Sequence, residues 1–191
     1  MKTTYFLIAV AVFLGLLIAV VAFSYRRLRK ISGRDWDRIL AELISVDYSA
    51  IENVSLDIID PSGQQRKDDC AMELEPERVW ELIGGMNGIE ILAKNSQTLI
   101  ELAFYLQKWH PEAIIIAEDL RRKAREIEWQ ADRLRAAAET GKPLVLFSSH
   151  AQSATAAYYL MIHRLLSLYE ISRFSRFPDL QKALLWGFIA P

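Results

Sequence analysis

Five polar side chains recur along one face of an otherwise apolar helix near the C-terminus, and they could form a binding site. They are separated by seven, four, four and three residues, which places them on one side of the helix. A histidine and a glutamate two turns apart could bind a ligand or a metal ion together with groups from a facing helix. The same spacing also fits a solvent-facing edge or an internal polar network. The five residues are Gln152, Tyr159, His163, Ser167 and Glu170.

The common catalytic patterns are missing from the sequence. No histidine has a glutamate three residues earlier, as a di-iron helical bundle requires. Ser148, Ser149 and His150 are adjacent, but no G-x-S-x-G turn surrounds them. The glycine-rich residues 84–88 lack the spacing of a phosphate-binding loop. We therefore expect no cofactor, metal ligand or catalytic residue, and we favour a protein that is not an enzyme.

The C-terminal residues 173–191 combine basic and aromatic side chains. Asp179 is the only acid among them, so the segment carries a net charge of +2. This composition suits a helix that lies on an anionic membrane surface. Alternatively, the segment is a last helix that packs Leu180, Leu184 and Phe188 onto the rest of the protein. The residues predicted to contact the membrane are Arg173, Phe174, Arg176, Phe177, Lys182, Trp186 and Phe188.

The N-terminal residues form an apolar segment long enough to cross a bilayer. Residues 6–23 contain no charge, and a helix over residues 5–25 would be about 32 Å long. The segment is followed by a basic cluster, which the positive-inside rule places in the cytoplasm. We predict an uncleaved single-pass anchor, typical of a bacterial inner membrane, with the N-terminus outside and the body in the cytoplasm. A signal peptide cleaved after residues 20–22 is the alternative. The cluster consists of Arg26, Arg27, Arg29 and Lys30.

Small residues recur every fourth position within this apolar segment. Ala11, Gly15 and Ala19 share one helix face, and such a face allows two membrane helices to approach closely. The segment could therefore form a homodimer. The alternative is that these residues simply face lipid.

Composition and charge limit the functions expected of the body of the protein, the residues after the predicted anchor. Residues 1–30 hold five of the 23 basic side chains and no acid, so the other residues carry 18 basic and 24 acidic groups, a net charge of −6. A body of this sign is not expected to bind nucleic acid. One cysteine excludes a disulfide framework. We predict an anchor over 1–30, a helical domain over 31–172 with a polar loop at about 60–75, and the C-terminal segment 173–191.

Helical periodicity dominates the body and predicts an all-α bundle. Residues 49–59 also alternate like a strand, although their helical neighbours favour a helix. We expect the last long helix to be central because it is apolar nearly all round. The predicted helices cover about 35–46, 49–59, 77–83, 89–109, 111–139 and 148–172. The stripes expected to be buried are Ile89, Leu92, Ser96, Leu99, Ala103 and Leu106, and Ile116, Leu120, Ala124, Ile127, Ala131, Leu134 and Ala138.

Two functions from different classes follow from these features. The first is a membrane-anchored helical interaction or scaffold protein, whose partners are the lipid bilayer, a second copy of itself and an unidentified protein. The second is a ligand-binding or sensory module whose pocket is formed by the five polar residues of the last helix. This second function requires a buried His163 that faces a glutamate or tyrosine from another helix.

Overall fold

The computed structural model describes residues 12–16, 18, 36–60, 74–107 and 113–171. The chain divides into two compact units, Met1–Asp35 and Trp36–Pro191. In the first unit residues 12–16 and 18 are helical and exposed, and a Cβ added at Gly15 would meet no atom within 4 Å. The rest of the predicted anchor, including Ala11 and Ala19, lies outside the described residues. Within the described ranges, no helix is both long and apolar enough to span a membrane.

All the secondary-structure elements described in the second unit are helical, without a strand, which confirms the all-α prediction for these residues. Residues 49–59 are mostly helical, so the strand alternative for them is wrong. The elements are α1 (Trp36–Leu40), α2 (Tyr48–Leu56), α3 (Pro76–Ile83), α4 (Gly85–Leu106), α5 (Ala113–Glu139), a 3-10 turn (Leu144–Phe147) and α6 (Ser148–Ile171).

Helix α6 occupies the centre of this bundle. It packs against α2, α3, α4, α5 and the 3-10 turn. A helix that is apolar over most of its circumference is stable only when neighbours cover most of its surface. Tyr158, Met161, Ile162 and Leu165 are accordingly buried completely or almost so.

The two long helices α4 and α5 bury nearly the stripes that periodicity predicts. All six predicted residues of α4 are buried. On α5 the five middle residues are buried, but Ile116 is only half-buried and Ala138 is exposed. Ala137 is buried in place of Ala138. The last step of the buried stripe, from Leu134, is therefore three residues and not four.

Helix α1 is shorter than predicted. A helix over residues 35–46 was expected, but α1 ends at Leu40. Two tight turns follow, in which the amides of Glu42 and Leu43 donate to carbonyls three residues earlier. The backbone of Ile44 is then bonded to the side chain of Asn95 on α4. This tertiary contact holds Ile44 outside a helix, so α1 ends earlier than local periodicity predicts.

Gly84 alone separates α3 from α4, whereas the predicted helices leave residues 84–88 between them. Gly84 ends α3 with φ +81°, a conformation that side chains with a Cβ rarely adopt. One turn later Gly88 is buried, and a Cβ there would overlap the carbonyl oxygen of Ile83. The close approach of the two helices thus depends on glycine at position 88.

Candidate functional site

Three of the five predicted polar residues come together against α2. The Nε2 of Gln152 donates to Asp57 Oδ2 at 2.9 Å. The hydroxyl of Tyr48 is hydrogen-bonded to Nε2 of His163 at 2.8 Å. The ring of Tyr159 lies 6.1 Å from that of Tyr48 and 4.2 Å from that of His163. We call this region the α2–α6 seam; its residues are Tyr48, Glu52, Asp57, Gln152, Tyr159 and His163.

The other two predicted residues do not join this arrangement. Ser167 donates its hydroxyl proton to the carbonyl of Arg164 at 2.9 Å, a contact within its own helix. The side chain of Glu170 lies outside the described residues. His163 faces a tyrosine of another helix, as the ligand-binding hypothesis requires, but it is exposed and not buried.

The two phenols of the seam favour their protonated form. Burial raises the pKa of Tyr48 above its ordinary value, and the neighbouring Tyr159 and the charge of Glu52 add to this effect. Burial and then Glu52 likewise raise the pKa of Tyr159. Both hydroxyls therefore keep their protons at neutral pH.

Gln152 is the one seam residue that is almost completely inaccessible. It is 1% exposed, and its Oε1 has no hydrogen-bond partner among the described residues. An unpaired buried acceptor of this kind costs about 1–3 kcal/mol. The atom could accept a hydrogen bond from a group that enters the seam.

A second region, which the sequence analysis did not predict, lies where α5 meets the start of α6. The 3-10 turn Leu144–Phe147 is entirely apolar, yet none of its residues is buried. Leu146 is 76% exposed. The indole of Trp80 on α3 donates to the carbonyl of Leu144 at 2.9 Å, which ties the turn to the bundle.

Aromatic rings extend this apolar turn onto α5. His150 lies between Phe147, 6.1 Å away and nearly parallel, and Trp129, 6.0 Å away and edge-on. Trp129 is 50% exposed, and the guanidinium of Arg133 lies 4.2 Å above its ring. We call this region the Trp129 surface; its residues are Trp129, Arg133, Leu146, Phe147 and His150.

His150 is held in a fixed orientation within this surface. Its Nδ1 is 2.6 Å from Oε1 of the buried Gln130, with Nδ1 as the donor. Burial lowers the pKa of His150 below its ordinary value, and the positive charge of Arg133 lowers it further. The imidazole is therefore neutral at pH 7, and the one formal charge on the surface belongs to Arg133.

Weak sequence signals marked both regions. Residues 143–147 are apolar but belong to no helical stripe, and Trp129 lies off the stripe that contains Ile127 and Ala131. Tyr48 and Glu52 are one turn apart in a segment whose secondary structure was ambiguous. Each of these signals indicates a site only when the helix or turn that packs against it is known.

Apart from Gly15, the remaining predicted residues are not placed by the structure. Those predicted to contact a membrane, in residues 173–191, lie outside the described ranges. In the part of the chain that is described, no three His, Cys, Asp or Glu side chains are grouped so that they could hold a metal ion.

Comparison with protein-family models, with curated proteins and with solved structures finds no match.

Proposed function

We propose that this chain is a membrane-anchored helical interaction protein, without catalytic activity, that binds a protein partner through the Trp129 surface. The observation that carries the proposal is the 3-10 turn Leu144–Phe147, an apolar element of which no residue is buried. Single exposed apolar residues are common on protein surfaces, but a continuous apolar and aromatic region indicates an interaction site.

The composition and order of the surface support binding to another protein. Tryptophan and arginine are the residue types most enriched among those that dominate binding energy at interfaces. The hydrogen bonds from Trp80 to Leu144 and between His150 and Gln130 fix the turn and the ring before binding. Little conformational entropy is then lost when a partner binds.

Site-specific photocrosslinking in full-length protein from native membranes tests this proposal. A benzophenone side chain at position 146 should yield a stoichiometric crosslink to one protein, and Trp129→Ala should weaken that crosslink about tenfold or more. Position 115 is the control, because Ile115 lies about 21 Å from Trp129 along the same helix and should yield at most a crosslink within its own chain. The same product from both positions, or none from position 146, would contradict the proposal.

The membrane anchor and its topology are part of the proposal and rest on residues 1–30. Cys70 is the only cysteine of the chain. If the body is cytoplasmic, a membrane-impermeant maleimide should label Cys70 only after the cells are lysed. Labelling of Cys70 in intact cells would show that the body lies outside the cytoplasm. A cleaved N-terminus, detected by mass spectrometry, would remove the anchor from the proposal.

Self-association through the anchor is a separate element. Gly15→Leu together with Ala19→Leu should abolish crosslinked dimers, because bulky residues keep two helices apart. Val12→Leu together with Phe13→Leu is a suitable control, since neither position belongs to the small-residue face. Unchanged dimers in the double variant would show that this face is not used.

A ligand-binding or sensory function remains a second candidate. It is favoured by the unpaired Oε1 of Gln152 within the α2–α6 seam. His163 is exposed and is therefore not the buried group that the predicted five-residue pocket requires, so this candidate rests on Gln152 alone. Purification in mild detergent distinguishes the two functions: a protein partner favours the first, and a bound small molecule without a protein partner favours the second.

A further inference from the structure

Two adjacent isoleucines are exposed at the beginning of α5. Ile114 is 60% exposed and Ile115 is 71% exposed. Ala113 and Ala117 on the same helix are buried, so the isoleucines face away from the core. Neither residue belongs to the Trp129 surface, which lies farther along the helix. This apolar pair therefore needs an explanation of its own.

The pair lies at the end of the bundle where α6 ends. The two helices are antiparallel, because His150 of α6 contacts Gln130 of α5 and, farther along, Nε of Arg164 is 3.6 Å from Oδ2 of Asp119. Ile115 precedes Asp119 by four residues, about 6 Å along the axis, and Ile171 follows Arg164 by seven residues, about 10 Å. The isoleucines and the last turn of α6 are therefore at nearly the same level.

Twenty residues of the chain follow Ile171 at this end. They include Leu180, Leu184 and Phe188, which are spaced four residues apart and would form an apolar stripe on a helix. We propose that residues 173–191 dock on the surface formed by Ile114 and Ile115 and cover it with this stripe. The occupant is then a segment of the same chain, connected directly to the element beside the surface.

We expect apolar contact to hold this docked segment. Glu118, one turn after Ile114, is the nearest exposed carboxylate on the same helix. It is 2.9 Å from Nη1 of Arg121 and 3.7 Å from Nη2 of Arg125, so its charge is already balanced. Docking should therefore change little between 50 and 500 mM salt, whereas attraction of the basic segment to an anionic bilayer would weaken strongly.

Limited trypsin digestion of the full chain in mild detergent tests the proposal. The cleavage sites are Arg173, Arg176 and Lys182, and the docked segment should protect them. Ile114→Ser with Ile115→Ser should raise the initial cleavage rate at these sites about tenfold. Leu56→Ser is the control, because Leu56 is also an exposed apolar residue (48%) and belongs neither to this surface nor to the Trp129 surface, so the rate should stay unchanged. Both changes are at exposed positions, so circular dichroism should show the same folded bundle.

Several results would overturn the proposal. Equal cleavage rates in the double variant and in the control would show that the isoleucines do not hold the segment. Protection that rises with protein concentration would assign the surface to a second copy. Protection seen only with anionic vesicles and lost in detergent would assign the segment to the bilayer. None of these results bears on the Trp129 surface, which is tested separately.

A crosslinking measurement provides a second test. In a Cys70→Ser background, Ile115→Cys and Leu184→Cys should be joined within one chain by a short bismaleimide. Leu146→Cys with Leu184→Cys should not be joined. Crosslinking in both pairs, or in neither, would overturn the proposal.

Discussion

The side-chain amide of Asn95 makes both backbone hydrogen bonds of Ile44, a residue 51 positions earlier in the chain. Its Oδ1 accepts from the amide of Ile44 at 2.9 Å, and its Nδ2 donates to the carbonyl of Ile44 at 2.7 Å. The same Nδ2 lies 3.3 Å from the hydroxyl of Tyr158 on α6. One buried amide thus joins the segment after α1 to α4 and α6.

Replacing Asn95 by alanine should destabilise the protein by about 2–4 kcal/mol, because two backbone groups of Ile44 lose their partners and a cavity is left. The free energy of unfolding from urea titration measures this loss. Ser96→Ala is the matched control. Ser96 is equally buried, but its hydroxyl bonds only to the carbonyl of Ala93 in its own helix. We expect the control to cost less than about 1 kcal/mol; equal losses would contradict the role of Asn95.

This contact also explains where prediction from sequence succeeds and fails. The buried stripe of α4 was predicted correctly because its spacing depends on helix geometry alone. The end of α1 was not, because a side chain 51 residues away competes for the backbone of Ile44. Local periodicity carries no information about such a partner.

The same limit applies to the two candidate sites. Periodicity placed Gln152, Tyr159 and His163 on one face, and the structure shows that this face meets α2. Periodicity could not show which of the three side chains is buried, since burial depends on how far α2 extends along α6. The Trp129 surface was missed because it combines a turn with residues of two helices.

At the junction of α3 and α4, two alanine substitutions compare the cost of steric overlap with the cost of backbone strain. Gly88→Ala should cost about 3 kcal/mol, because its Cβ would overlap the carbonyl oxygen of Ile83 and force the helices apart. Gly85→Ala should cost only about 1 kcal/mol, because space is open there and the penalty comes from φ +69° alone. Thermal unfolding of both variants measures the difference. A larger loss at Gly85 would show that the close approach of the helices is not limiting.

Acid should destabilise the Trp129 surface through His150. The pKa of His150 is lowered in the folded protein, so the unfolded chain binds its proton more readily as the pH falls below about 6.5. The stabilisation by the neutral ring is present above that pH and is lost as the pH falls towards the folded pKa. We expect His150→Gln to flatten the dependence of the unfolding free energy on pH in this window.

The two causes of this shift can be separated by NMR titration of the imidazole. Arg133→Met removes the charge and keeps an apolar side chain near Trp129, so the pKa of His150 should rise. It should stay below 6.5 because burial is the larger cause. An unchanged pKa would show that Arg133 has no electrostatic effect, and a pKa fully restored to 6.5 would show that burial has none.

Gln152→Met distinguishes a structural from a binding role for the α2–α6 seam. The side chain is buried and its Oε1 is unpaired, so replacing the amide by an apolar chain of similar volume removes a desolvation cost. Asp57 loses one donor, but it is only half-buried and can bind water instead. We therefore expect the free energy of unfolding to stay within about 1 kcal/mol of the original value or to rise.

Gln152→Ala, which leaves a cavity, should cost about 2 kcal/mol. If Gln152→Met is as costly as Gln152→Ala in protein purified from membranes, Oε1 is paired with a bound group there. The ligand-binding candidate would then gain support over the interaction protein.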